Sequence, residues 1–263
     1  MTASQAQRSP NVSTPFPVLI CSIPKAGTYL LSSIVEILGF AKTHFHISKD
    51  EYSDYRFGSQ EEHRKNPEKF RVVASYQSVL SSLPPGTHAV SHLPCDEGVQ
   101  TVCRQSAIKV FFLARDLRDC AISYMRFLAD TGRDDSAQAE WMQAEDGPQR
   151  LIRFLETYHW FFAAAQSIIS WQSCPIANTI RFESLLGDYG VAAQHHAIEQ
   201  ICAHVCLEAA RVNMQALLSS TLHTPTLTWS GQRTQRSLYW SDTAEQRFIE
   251  LGGDALNRHL GYE

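Results

Sequence analysis

The chain has 263 residues, of which 44% are hydrophobic and 19% charged, and its formal net charge is −4. That length holds one large domain with a sizeable core, and the mild acidity offers no global attraction to nucleic acid or an anionic membrane. Any anionic ligand must be gripped by a local cluster of donors.

Residues 1–16, opening with MTASQAQRSPNVSTP, lack an apolar core and read as a flexible polar leader, with 17–263 as a single domain. No stretch approaches the roughly 18 apolar residues of a membrane span. The run PVLICSI (17–23) reads as a buried strand. A Pro-Lys-Ala-Gly-Thr turn follows, then a helix from about Thr28 to Leu38 whose apolar face is Leu30, Leu31, Ile34, Val35 and Leu38. An ATP-type loop places its lysine after the second glycine. Here Lys25 precedes Gly27, and no glycine stands in the strand ahead of Lys25. What survives is a strand, a glycine turn and a helix N-terminus, whose free N–H groups and dipole favour an anion. Lys25 adds a mobile charge, Thr28 a hydroxyl donor, and Pro24 fixes the backbone entering the turn. A plain turn with a surface lysine is the alternative on this segment alone.

Residues 41–70 and 129–150 are polar, aromatic and charged, and they interrupt the strand–helix rhythm. Such insertions serve as lids or binding loops, or as solvated excursions. The segment GTHAVSHLP (86–94) reads as a short strand ending in His92, a general-base candidate by its position. A strongly apolar strand, AIKVFFLA (107–114), leads into Arg115, and the helix DCAISYMRFL (119–128) carries Ser123. An arginine fork with a serine makes a second anion site, although Asp116, Arg118 and Asp119 offer ordinary salt-bridge partners. PIANTIRFESL (175–185) reads as a further strand with a charged exit. His195, His196, Cys202, His204 and Cys206 fall on a helical repeat, so no metal site is expected there. Seven cysteines without a pattern point to free thiols in a reducing cytoplasm.

Strands separated by helices imply an α/β fold with a mainly parallel sheet flanked by helices. The carboxyl ends of parallel strands gather ligands at one edge, which would bring Lys25, His92 and Arg115 together.

These segments resemble the sulfotransferases that use 3′-phosphoadenosine 5′-phosphosulfate (PAPS). SIPKAGTYLL is similar to their Y-P-K-[ST]-G-T-T-W loop, and ARDLRDCAIS to their R-x-x-x-D-x-x-x-S segment, with the same eight-residue interval from Arg115 to Ser123. SHLP resembles their T-H-L-P, IRFESLLGD their Y-E-D-L, and the chain closes on a family-like LGYE. The resemblance implies a P-loop-like sulfotransferase fold with lid insertions. It implies a 5′-phosphosulfate held by Lys25, Ala26, Gly27, Thr28 and Tyr29, and a 3′-phosphate held by Arg115 and Ser123. Phe182, Gly231 and Arg233 complete the implied nucleotide contacts. His92 would be the general base and Lys25 would stabilise the leaving group, with no metal and with 3′-phosphoadenosine 5′-phosphate (PAP) as product.

The sequence departs from the family at several of these positions. Leu30 replaces the tryptophan beside the adenine, and Ala26 leaves only a backbone N–H where a hydroxyl is common. Val90 replaces the lysine before T-H-L-P, and Phe182 replaces the tyrosine of Y-E-D. Trp229 and Ser230 stand in for the basic pair ahead of Gly231, leaving Arg233 or Arg236 to supply charge. The acceptor is expected to be a small molecule carrying a hydroxyl or amine. Tyr52, Tyr55, Phe57, Trp141 and YHWFF (158–162) are available either to line its pocket or to build the core, and Glu36 is an alternative base. Two other functions stay open: a P-loop nucleotide kinase and a non-catalytic adenosine bisphosphate binder. The oligomeric state is open, with a homodimer as one option.

Overall fold

Val18–Ser22 forms β1, and its unbroken apolar run is buried on both faces, as a central parallel strand requires. The computed structural model describes residues 16–131, 138–222 and 236–263. In chain order, α1 (Thr28–Ile37), β2 (Ala41–Ile47), β3 (Glu51–Asp54), α2 (Gln60–Lys65), β4 (Arg71–Val73) and α3 (Tyr76–Ser81) lead to β5 (Thr87–Ser91). Then come α4 (Glu97–Gln105), β6 (Lys109–Ala114), α5 (Leu117–Thr131), α6 (Gln138–Met142), α7 (Pro148–Thr157) and α8 (Trp160–Ile169). The chain continues with β7 (Ala177–Arg181), α9 (Phe182–Leu186), α10 (Val191–His204), α11 (Met214–Leu222), α12 (Arg236–Tyr239), α13 (Asp242–Glu250) and α14 (Gly253–His259).

Among the described residues the sheet has seven strands in the order β4-β3-β2-β5-β1-β6-β7. β1 pairs in parallel with both β5 and β6, β6 with β7, and β2 with β5. Only β3 and β4 run antiparallel to their neighbours. The alternation along β1 divides the core. Leu19 and Cys21 pack with α3, α4, α5, α7 and α8, whereas Val18 and Ile20 pack with α1, α10 and α11.

Three boundaries differ from the sequence reading. The 41–70 segment supplies β2 and β3 to the sheet, because β2 pairs with β5 despite its polar sequence. The strand expected over 175–185 ends at Arg181, and Phe182–Leu186 turns into a short helix closed by Gly187 in the left-handed conformation. Phe16 belongs to the core and not to a leader. It stacks on Phe40, and its carbonyl accepts the Gly86 N–H.

The aromatics weighed for an acceptor pocket divide in the same way. Trp141, Tyr158, Phe161 and Phe162 are buried in the larger core cluster, while Phe57 is exposed. The helical histidine–cysteine run is α10, whose Ile198, Ile201 and Cys202 face the core. Among the described residues, no group of three or more His, Cys, Asp or Glu side chains is arranged to hold a metal. Nor is any described helix long and apolar enough to cross a membrane. All seven cysteines are free thiols; five are buried, Cys95 is half-buried and Cys206 is exposed.

Candidate active site

The parallel strands β1, β5, β6 and β7 deliver the loops that follow them to one edge of the sheet. The loop after β1 is the cradle. Gly27 sits at φ +98°, and a Cβ there would collide with the Phe182 ring, so the turn needs glycine for both backbone and space. Lys25 also takes a positive φ of 70°, a strained conformation for an L residue and one that concentrates at functional sites. The Ala26 N–H donates to the Ile23 carbonyl at 3.1 Å. That donor closes the turn, which corrects the expectation that it remains for the anion. The first-turn N–H groups of α1 are the ones a helix leaves without internal partners. The Thr28 hydroxyl hydrogen-bonds to the Ser22 hydroxyl. The Lys25 ammonium lies 4.1 Å from the centroid of the Phe127 ring on α5.

His92 follows β5. Its Nδ1 lies 2.7 Å from the Ser22 carbonyl oxygen, which only accepts, so Nδ1 carries the proton and Nε2 keeps its lone pair. The loop beyond it is anchored by the Trp171 indole N–H, which donates to the Leu93 carbonyl at 3.0 Å. Burial depresses the His92 pKa to about 4, the Ser22 carbonyl pulls it back upward, and the Lys25 charge lowers it further. The imidazole is therefore neutral at pH 7, as a base must be.

Arg115 follows β6 and is buried. Its Nη1 donates to the Lys25 carbonyl at 2.8 Å, and its guanidinium lies 4.3 Å from the Phe182 centroid. Arg115 thus braces the cradle while presenting its fork at the same edge. Phe182 forms the floor under Gly27 and Arg115. Ser123 is half-buried on α5. Tyr29 turns toward β2, where its hydroxyl and His46 Nδ1 are 3.2 Å apart. The His46 ring packs edge-on against His92 with centroids 4.5 Å apart. His46 was not singled out in the sequence, since it lies in the polar segment that gave no strand signal. Glu36 is exposed near the far end of α1, away from the turn that opens the helix. Leu30 is buried in the core. Gly231 and Arg233 lie outside the described residues. Arg236 is described, and its guanidinium pairs with Asp116 at 2.7 Å and Asp119 at 3.0 Å.

Another imidazole, His88, is buried and held on both nitrogens: Nε2 by the Ser32 hydroxyl at 2.7 Å, Nδ1 by the Phe40 carbonyl at 3.1 Å. Burial depresses its pKa from 6.5 to about 4. Both rings bind protons less readily folded than unfolded. Their stabilisation is therefore complete above pH 6.5 and is lost as pH falls toward 4. The His88 share is roughly 3 kcal/mol at full loss, at 1.36 kcal/mol per pKa unit. Thermal unfolding followed from pH 7 to pH 4 should show a falling midpoint, and His88→Gln should flatten that limb. A limb of unchanged slope would contradict the assignment.

A glycine turn and helix N-terminus at the carboxyl edge of a parallel sheet, with lysine and arginine converging on it, define a protein built to grip phosphate-type anions. The chain belongs to the sulfotransferase family: the family model described as "Sulfotransferase domain" matches residues 15–185. No curated protein matches the chain. Among solved structures it is similar to mouse sulfotransferase SULT7A1 complexed with PAP, with TM-score 0.58 and 16% identity over 94% of this chain and 89% of that one. It is also similar to a retinol dehydratase in complex with androsterone and the inactive cofactor PAP, with TM-score 0.54 and 15% identity over 92% and 81%. These likenesses establish the sulfotransferase fold.

Proposed function

We propose that the chain transfers a sulfuryl group from PAPS to a hydroxyl or amine of a small-molecule acceptor. The observation that carries this reading is the single tautomer of His92, held by the carbonyl of Ser22, the residue that ends β1 three positions before Lys25. The two similar structures contain PAP, and one of them also contains androsterone, a small molecule.

The donor set suits a bisphosphorylated nucleotide. Lys25, Thr28 and the first turn of α1 would hold the 5′ end, and Arg115 with Ser123 the 3′-phosphate. When bound, PAPS supplies the sulfuryl group. Lys25 neutralises charge that develops on the leaving oxygen, a transition-state contribution. His92 takes the acceptor's proton at Nε2 while its Nδ1–H stays on the Ser22 carbonyl. The loops after β1 and β5 fix these groups relative to each other, so positioning does much of the work. A reducing, cytoplasmic setting fits the buried free thiols. Burial pushes the Cys103 thiol up to about 12, which keeps it protonated and inert.

Incubating the protein with PAPS and a mixed panel of phenols, alcohols and amines should release PAP together with a sulfated product. Absence of both across the panel would overturn the reading. Arg115→Ala should weaken PAP binding by roughly 10- to 100-fold, the range for losing hydrogen bonds to a charged group. Calorimetry reads this directly, and unchanged affinity would remove Arg115 from the nucleotide site.

A further inference from the structure

A cavity of about 240 Å³ lies between α1, β5 and the β2–β3 hairpin, with Tyr29, Lys42, His44, Tyr55, His63 and Val90 among its walls. Its lining contains one lysine, three histidines and two tyrosines, and no aspartate or glutamate. His88, the third histidine, already has both nitrogens engaged, and His63 Nε2 is bonded to the Phe57 carbonyl. That leaves Lys42, His44, Gln60 and the Tyr55 hydroxyl as polar groups to meet a ligand, and Lys42 is the one with a full positive charge.

The backbone is shaped for this. Between Lys42 and His46, β2 advances four residues while β5 advances two, from His88 to Val90. The resulting bulge carries His44 at φ +62°. Bulges and strained residues of this kind re-aim side chains beside functional sites. Burial holds the Lys42 ammonium below its ordinary range, with Glu36 pulling it up, and its Nζ lies 5.4 Å from the centroid of the Tyr29 ring. Burial and Lys42 push His44 down, Glu36 and Asp54 pull it up, and His63 pushes it down. Asp54 is itself bound to Arg56. A partly desolvated cation in a pocket without its own carboxylate is a receptor for an anion.

Two of the wall residues neighbour the base in sequence or by contact. Val90 lies in its wall on β5, two residues before His92, which follows that strand. Tyr29 lines it as well, and contacts the His46 ring that packs on His92. Two strand residues span about 7 Å. We propose that this cavity binds a small aromatic hydroxy acid by its carboxylate, held by Lys42 and His44, with the ring between Tyr29 and Tyr55 and the hydroxyl directed toward His92. Resting on the sulfuryl-transfer reading, this makes such hydroxy acids the acceptor class. The positive charge absent at Val90 is then supplied from the neighbouring strand, on the substrate side of the reaction.

The test uses the full chain with 3-(4-hydroxyphenyl)propanoate and its methyl ester, first in binding calorimetry without donor. The acid should bind on the order of tenfold more tightly than the ester, and Lys42→Met should erase that preference, with His44→Gln reducing it. Equal binding of acid and ester to the unaltered protein would overturn the inference, whatever the variants do. Sulfation of 2-naphthol with PAPS is measured in parallel. Turnover of the naphthol without acid preference defeats the cavity assignment alone, whereas acid preference without turnover of any phenol supports the cavity and defeats the transfer reading.

Discussion

His92→Ala should lower sulfuryl transfer by ~10²–10⁴-fold while leaving PAP affinity unchanged, since the loss is of acid–base help and not of donor binding. The expectation rests on the fixed tautomer: Nδ1 is committed to the Ser22 carbonyl at 2.7 Å, so Nε2 is the nitrogen that can accept a proton. His92→Asn separates chemistry from scaffolding, because an amide N–H can still donate to Ser22 but offers no base of comparable strength. Both variants should fall together in turnover. Full activity in His92→Asn would show that the imidazole only holds the loop. In the unaltered enzyme, the pKa of about 4 predicts a rate that stays level from pH 8 to about pH 5 and falls below it, as His92 takes up a proton.

Lys25→Ala should cost on the order of 10²–10³ in turnover, the range for removing a preorganised transition-state donor. Lys25 and alanine face the same strain at φ +70°, so the backbone penalty is shared by both and the charge is what differs. Lys25→Met refines the comparison by keeping an aliphatic stem against Phe127. The substitution has a second, signed consequence. Because the ammonium lowers the His92 pKa, its removal should raise that pKa and move the acidic limb of the rate profile to higher pH. A variant with full turnover and an unmoved limb would place the lysine outside the reaction.

What the sequence disclosed follows from how locally each feature is encoded. β1 and β6 were legible because a strand buried on both faces needs a long apolar run, and Arg115 stood out because it ends one; β5, THAVS, was read from a shorter signal between a glycine and the loop that holds His92. The turn at Lys25–Thr28 was legible from its glycine. β2 was not, because AKTHFHI is half-exposed and its strand character comes from pairing with β5 about forty residues on. His46 was lost with it, as were the bulge and the cavity behind it. The Ala26 N–H illustrates a different limit: only the closed turn reveals which donors the backbone has used. The Arg236 partners, Asp116 and Asp119, lie more than a hundred residues away in the chain and carry no local mark.

Asp116 draws these distances together. Its carboxylate receives the Asn257 amide at 2.7 Å and the Arg236 guanidinium, its own N–H donates to Glu183, and Asn257 also accepts the Leu117 N–H at 2.9 Å. Glu183 in turn receives the Tyr262 hydroxyl at 2.6 Å. The loop that presents Arg115 is thus tied off by residues translated some 140 positions later, so every strand of the described sheet is synthesised before the partner that ties this loop exists. A compound that binds only the tied-off loop would therefore raise the thermal midpoint of the whole chain by mass action, and loss of that rise in Asn257→Ala would show the two ends of the chain acting as one unit.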